Sequence, residues 1–164
     1  MEQGRVPAPN RQAVPRLTPR RRAVDMSTSG HLNGPTERER RMTGVLIVDH
    51  GSREEAANAL FVQIMQRFAA THPALLVEPA HMELAPPTIA DAFNALVDRG
   101  AKYVIVHPYF LLPGRHWRQD IPTLCEEAAQ PHPGVRWKVT EPLGMSDLIL
   151  EVIAERLRGA GAPL

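Results

Sequence analysis

The chain has 164 residues, 43% of them hydrophobic, and carries 19 Lys and Arg against 18 Asp and Glu for a formal net charge of +1. That length suggests one domain with a real core. A single cysteine, Cys125, excludes an intrachain disulfide and fits a reducing cytoplasm, and no apolar run approaches the roughly 20 residues that span a bilayer, so no membrane partner is expected.

The charge is unevenly spread. Residues 1–42 hold nine Arg against four acids, a net of +5, whereas residues 43–164 hold ten Lys and Arg against fourteen acids, a net of −4. The second part lacks the clustered basic residues of a nucleic-acid binder. The first contains Pro7, Pro9, Pro15, Pro19 and Pro35 with almost no apolar periodicity, too little to offset its ordering entropy. A disordered, dispensable Arg/Pro-rich tail is expected over 1–42, and a folded domain over 43–164. The tail lacks the apolar stretch of a secretory signal; it is Arg-rich and acid-poor, as organellar transit peptides are, but Pro-rich and hardly amphipathic. Met26 and Met42 offer later starts.

Val45–Val48 is a short apolar run without alternation, as in a buried parallel strand. Ala57, Leu60, Phe61, Ile64 and Phe68 then recur at helical spacing and predict one apolar face. Leu75–Leu84 contains a second strand leading into Glu83. Pro86-Pro87-Thr88 starts a helix with Thr88 as N-cap and Asp91 three residues on; its stripe is Ile89, Ala92, Phe93, Leu96 and Val97, and Gly100 ends it. Lys102–Val106 is a third strand. A helix carrying Ile121, Leu124 and Ala128 is predicted from His116 to about Ala129, closed by Pro131 and Pro133. Val135–Val139 is a fourth strand. Ser146 caps a last helix with Leu148, Ile149, Val152, Ile153 and Leu157 facing inward.

Four βα units with short connections and right-handed crossovers give a parallel three-layer α/β sandwich. Strand order 2-1-3-4 covers both faces and reverses direction between strands 1 and 3, which opens a crevice at their carboxyl ends. His50, in Asp49-His50-Gly51-Ser52-Arg53, and His116, in Pro113-Gly114-Arg115-His116, flank that crevice. Strand 2 brings Glu83 to the same edge. Two imidazoles and a carboxylate suit a borderline divalent ion with positions left open.

Other readings of these residues stand beside that one. The His50-Gly51-Ser52 turn can cap the following helix or bind an anion on exposed N–H groups. Ser52 as a nucleophile would make the chain a hydrolase, but the Gly-x-Ser-x-Gly elbow is missing. His81 and His107 are reserve ligands. Cys125, on a helix flank, reads as a small core residue.

Asp49-His50-Gly51-Ser52-Arg53, Met82-Glu83-Leu84-Ala85-Pro86-Pro87, Pro108 to His116, and Asp120-Ile121-Pro122 follow one another in an order and spacing that resembles the small single-domain sirohydrochlorin chelatases of the CbiX/SirB type, over residues 43–158. The resemblance implies the chelatase-like fold and insertion of Co²⁺ or Fe²⁺, or Ni²⁺, into sirohydrochlorin or a related tetrapyrrole, in cobalamin or sirohaem synthesis. The metal is then a substrate, and no permanently bound cofactor is implied. His50 and His116 fall on the family's metal-site histidines and Glu83 on its acidic site residue, with catalytic and metal-handling roles. Arg53, Arg115 and Arg118 would hold substrate carboxylates, with Tyr109, Phe110 and Trp117 as an apolar wall. A homodimer is the family's usual state for short chains. His81 and His107 depart from the family's usual aromatic and aliphatic residues. A non-catalytic metal or tetrapyrrole carrier on the same fold is the alternative.

Overall fold

The computed structural model describes Thr36, Glu37 and residues 42–163, all within one unit spanning His31–Leu164. The disorder expected over 1–42 therefore falls almost wholly outside the described residues. Four strands form one parallel sheet: β1 (Thr43–Asp49), β2 (Leu76–His81), β3 (Tyr103–Pro108) and β4 (Arg136–Val139), in the order β2-β1-β3-β4. The helices between and after them are α1 (Glu55–Thr71), α2 (Ile89–Asp98), α3 (Ile121–Ala129) and α4 (Asp147–Gly159).

Side chains alternate across a strand, so each strand feeds two cores. Leu46, Val48, Ala80, Val104 and Val106 pack with Phe93, Leu96 and Ile121 of α2 and α3. Val45, Ile47 and Val77 on the other face pack with Phe61 and Met65 of α1. Gly44 lets α2 approach, since a Cβ there would stand 3.0 Å from Leu96. α2 starts in a reciprocal capping box, with Thr88 accepting from the Asp91 amide while Asp91 accepts from the Thr88 amide.

The structure corrects three expectations. In α1, Phe61, Met65 and the half-buried Phe68 face the sheet, whereas Ala57, Leu60 and Ile64 point outward. The two rows lie on neighbouring sides of one helix, and composition does not say which one meets the strands.

Between His116 and Asp120 the backbone forms a π-helical turn, and α-helical geometry begins at Ile121. Pro122 has no N–H to give to the Arg118 carbonyl and its ring would crowd that oxygen, so a regular helix cannot run through from His116. The wider turn places the Ile121 amide on the His116 carbonyl instead.

The third correction is α4. None of its residues is buried, and Leu148, Val152, Ile153 and Leu157 are exposed. The period identified an amphipathic helix but not the surface it covers. Ser146 occupies the N-cap position without a side-chain bond.

Candidate functional site

β1 and β2 keep pairing beyond their ends. The Met82 amide donates to the Asp49 carbonyl at 2.8 Å and the Glu83 amide to the His50 carbonyl at 3.3 Å, which sets His50 beside Glu83. Their side chains meet, His50 Nε2 to Glu83 Oε1 at 2.8 Å, with both about half exposed. Gly51 makes the approach possible: its φ is +81°, and a Cβ would lie 2.2 Å from the Glu83 carbonyl oxygen. Asp49 Oδ1 accepts from the Gly51 amide at 2.9 Å and from His81 Nδ1 at 2.5 Å. Leu84, just past Glu83, holds a left-handed φ of 68°, uncommon for a residue with a Cβ and characteristic of functional loops.

His116 enters from the loop after β3. Its Nδ1 is 2.7 Å from Asp120 Oδ2, across the π-helical turn. An ionised carboxylate only accepts, so Nδ1 carries the proton and the neutral ring keeps its lone pair on Nε2. Trp117 anchors the same turn by donating Nε1–H to the Thr140 carbonyl at 2.9 Å. The His116 ring meets the His50 ring edge to face, with centroids 5.3 Å apart. His50 thus touches both Glu83 and His116. Among the described residues no three His, Cys, Asp or Glu side chains are already gathered as a metal-holding cluster, so the approach is pairwise.

Arg53, Arg115 and Arg118 are exposed. Arg115 Nε lies 3.8 Å from Asp120 Oδ2, and the Arg118 guanidinium sits over the Trp117 ring at 5.8 Å. Tyr109 is exposed, whereas Phe110 packs against the core. Leu84, Leu111 and Leu112, for which the sequence carries no signal of a role, expose apolar side chains on the loops after β2 and β3.

The reserve histidines are engaged elsewhere. His81 is buried on Asp49, and His107 Nδ1 bonds Thr140 Oγ1 at 2.7 Å, burial holding its imidazole below the ordinary value. Cys125 is buried, and burial pushes its thiol up to about 12, so it is a core residue and no nucleophile. Ser52 does not cap α1: its hydroxyl accepts from the Glu54 amide at 3.0 Å, and Glu54 holds the N-cap position. Asn58 clamps the Ser52 backbone with two bonds of 2.9 Å. Asp49, Asp120 and Asn58 carried no expected role; of these only Asp120 left a sequence signal, its spacing of four from His116 on a helical segment.

A family model described as CbiX matches residues 44–160. A sirohydrochlorin ferrochelatase of the chloroplast in Arabidopsis thaliana is 46% identical over 115 residues, covering 70% of this chain and 51% of the relative. A sirohydrochlorin cobaltochelatase of Priestia megaterium is 32% identical over 124 residues, 75% of this chain and 40% of the relative. Among solved structures, SirB from Bacillus subtilis with Fe³⁺ superposes with a TM-score of 0.67 at 30% identity, covering 74% of this chain and 48% of that one. The chain thus spans about half the length of these proteins.

Proposed function

The chain belongs to the CbiX family, and from that premise we propose that it inserts a divalent metal, Co²⁺ or Fe²⁺, into sirohydrochlorin. The observation that carries the reading is the convergence of His50 on both Glu83 and His116 at the strand ends of the chelatase fold. Two metal–nitrogen bonds of about 2 Å meeting at a tetrahedral angle put two imidazole centroids about 5 Å apart, close to the spacing of His50 and His116.

Insertion consumes one M²⁺ and the metal-free macrocycle and yields the metallated macrocycle and two protons. His116 Nε2, its tautomer set by Asp120, is the first nitrogen offered to the ion. His50 keeps its Nε2–H on Glu83, whose carboxylate only accepts, and offers the ion the lone pair on Nδ1, while the second oxygen of Glu83 is a further ligand or takes a pyrrole proton. A neutral imidazole accepts the other near neutral pH.

Arg53, Arg115 and Arg118, all exposed at the rim, orient the carboxylates of sirohydrochlorin. Tyr109, Leu84, Leu111 and Leu112 supply the apolar surface for the macrocycle, with Trp117 as a wall. The exposed apolar face of α4 supports pairing of two copies into a homodimer. The net charge of −4 over 43–164 argues against a nucleic-acid partner. No helix of the described residues is long and apolar enough to cross a membrane, and a cytoplasmic site of action fits the single cysteine.

Anaerobic turnover of sirohydrochlorin with Co²⁺ and with Fe²⁺ at matched free metal tests the reading. Metallated product should appear with at least one ion. Binding of metal or macrocycle without turnover would make the chain a carrier.

A further inference from the structure

Within the described structure His81 holds an unusual place. It is the one histidine that is fully buried, at 1% exposure, and its Nε2 has no hydrogen-bond partner. Burying a polar atom without a partner costs free energy, and an apolar residue in the same space would avoid that cost. The imidazole ring lies 5.5 Å from the Phe61 ring and under the Gly51 turn, where a Cβ on Gly51 would stand 3.1 Å from His81 Cβ. Its backbone is pinned by the bond from its amide to the Pro87 carbonyl at 2.7 Å.

What the imidazole supplies that a hydrocarbon could not is a second donor to Asp49. His81 and Asp49 are register partners on adjacent parallel strands, so the side chains meet on the same sheet face. Asp49 Oδ1 then takes two N–H groups, one from His81 and one from Gly51. Gly51 adjoins His50 and lies against the Glu83 carbonyl. The links run without a gap from buried ring to carboxylate, to the turn, and to the exposed pair His50–Glu83.

We propose that His81 is a positioning residue: through Asp49 it fixes the Gly51 turn and thereby sets the His50–Glu83 separation at which the incoming ion is received. The inference rests on the reading of His50 and Glu83 as metal-handling groups. It assigns His81 no bond to the metal, since its ring is closed off from the crevice.

Two substitutions separate positioning from packing. His81→Phe keeps an aromatic ring against Phe61 and removes the donor. His81→Asn loses the ring but carries an amide N–H where Nδ1 stands. The measurements on the full chain are hydrogen exchange of the Gly51 amide without metal, the absorption of added Co²⁺, separate KM values for Co²⁺ and sirohydrochlorin, and the melting temperature. His81→Phe should speed Gly51 exchange, weaken Co²⁺ binding by about 10- to 100-fold and raise the KM for Co²⁺ alike. The KM for sirohydrochlorin and the melting temperature should hold. His81→Asn should restore much of the Gly51 protection and the Co²⁺ affinity, even where it melts earlier. Wild-type Gly51 exchange and Co²⁺ affinity in His81→Phe would overturn the proposal, as would losses in both variants that simply follow melting temperature. A wild-type chain that neither binds Co²⁺ nor metallates sirohydrochlorin, with Gly51 responding as expected, would instead overturn the chelatase reading and leave the control of the turn by His81 supported.

Discussion

The planes of the His50 and His116 rings cross at 78°, with the rings in edge contact although His50 directly follows β1 and His116 opens the π-helical turn beyond β3. Groups that serve one step lose their effect together, so their substitutions should not add. His50→Ala and His116→Ala should each abolish most of the metallation rate, and the double variant should be little worse than either. Both lie outside the two cores, so all three proteins should melt near the wild type. Initial rates and melting curves check this. Near-wild-type turnover in either single variant would remove that histidine from the site.

Much of this arrangement was legible in the sequence because it depends on order and local punctuation. Uninterrupted apolar runs ending in polar loops gave the parallel strands, and short connections with right-handed crossovers left few strand orders. The same logic brought His50, Glu83 and His116 to one edge. What could not be read depends on partners far along the chain. Asp49 and His81 pair across two strands, and Thr140 anchors both His107 and Trp117 from the end of β4. The inward face of α1 and the exposure of α4 were equally hidden, since periodicity gives a face without its partner. Pro122 is the exception, since a proline inside the helix expected from His116 by itself rules out a regular α-helical turn there.

The His116–Asp120 bond carries its own expectation. Carboxylates that orient a ligand histidine typically account for 10- to 100-fold in metal affinity or activity. Asp120→Ala should raise the KM for the metal by about that factor, with the KM for sirohydrochlorin little changed. Asp120→Asn should be milder, because its amide oxygen still accepts from Nδ1–H. Metal titrations at fixed sirohydrochlorin decide it, and an unchanged metal KM in Asp120→Ala would mean that the turn alone orients His116.

Exposed apolar residues on one helix should matter for assembly rather than for the domain's own stability. Ile153→Asp with Leu157→Asp places charges on a face that is already in solvent. In a homodimer paired through α4 the double variant should run as a monomer by light scattering, while its far-ultraviolet spectrum stays the same. A dimer of undiminished affinity would assign the pairing to another surface.

Burial holds the His107 imidazole below its ordinary 6.5 in the folded chain. The unfolded chain, titrating at the ordinary value, binds more protons in the window below it. The stability this group contributes is therefore present above 6.5 and is lost as pH falls from there toward the lowered folded value. His107→Leu should flatten that part of the profile. Urea midpoints at about pH 7.5 and about pH 5.5 should differ less in the variant than in the wild type. An equal acid loss in both would assign the effect to other groups.

Gly51 offers the sharpest separation of geometry from stability. At φ +81° any side chain is strained, by roughly 1–2 kcal/mol on general grounds. The added Cβ of Gly51→Ala would also start 2.2 Å from the Glu83 carbonyl oxygen, a backbone atom that cannot swing away as a side chain would. Relief requires the β1 and β2 loops to part by about 1 Å, and a misplacement of that size can cost about 100-fold in rate. The His50–Glu83 contact spans just this gap, so it should be lost before the fold is. Gly51→Ala should therefore remain folded with modestly lowered stability and lose about two orders of magnitude in kcat/KM. Gly114→Ala is the matched control, since a Cβ there meets nothing within 4 Å. Its rate and melting temperature should stay near the wild type. Wild-type turnover in Gly51→Ala would show that the close approach of the two loops is not needed for the reaction.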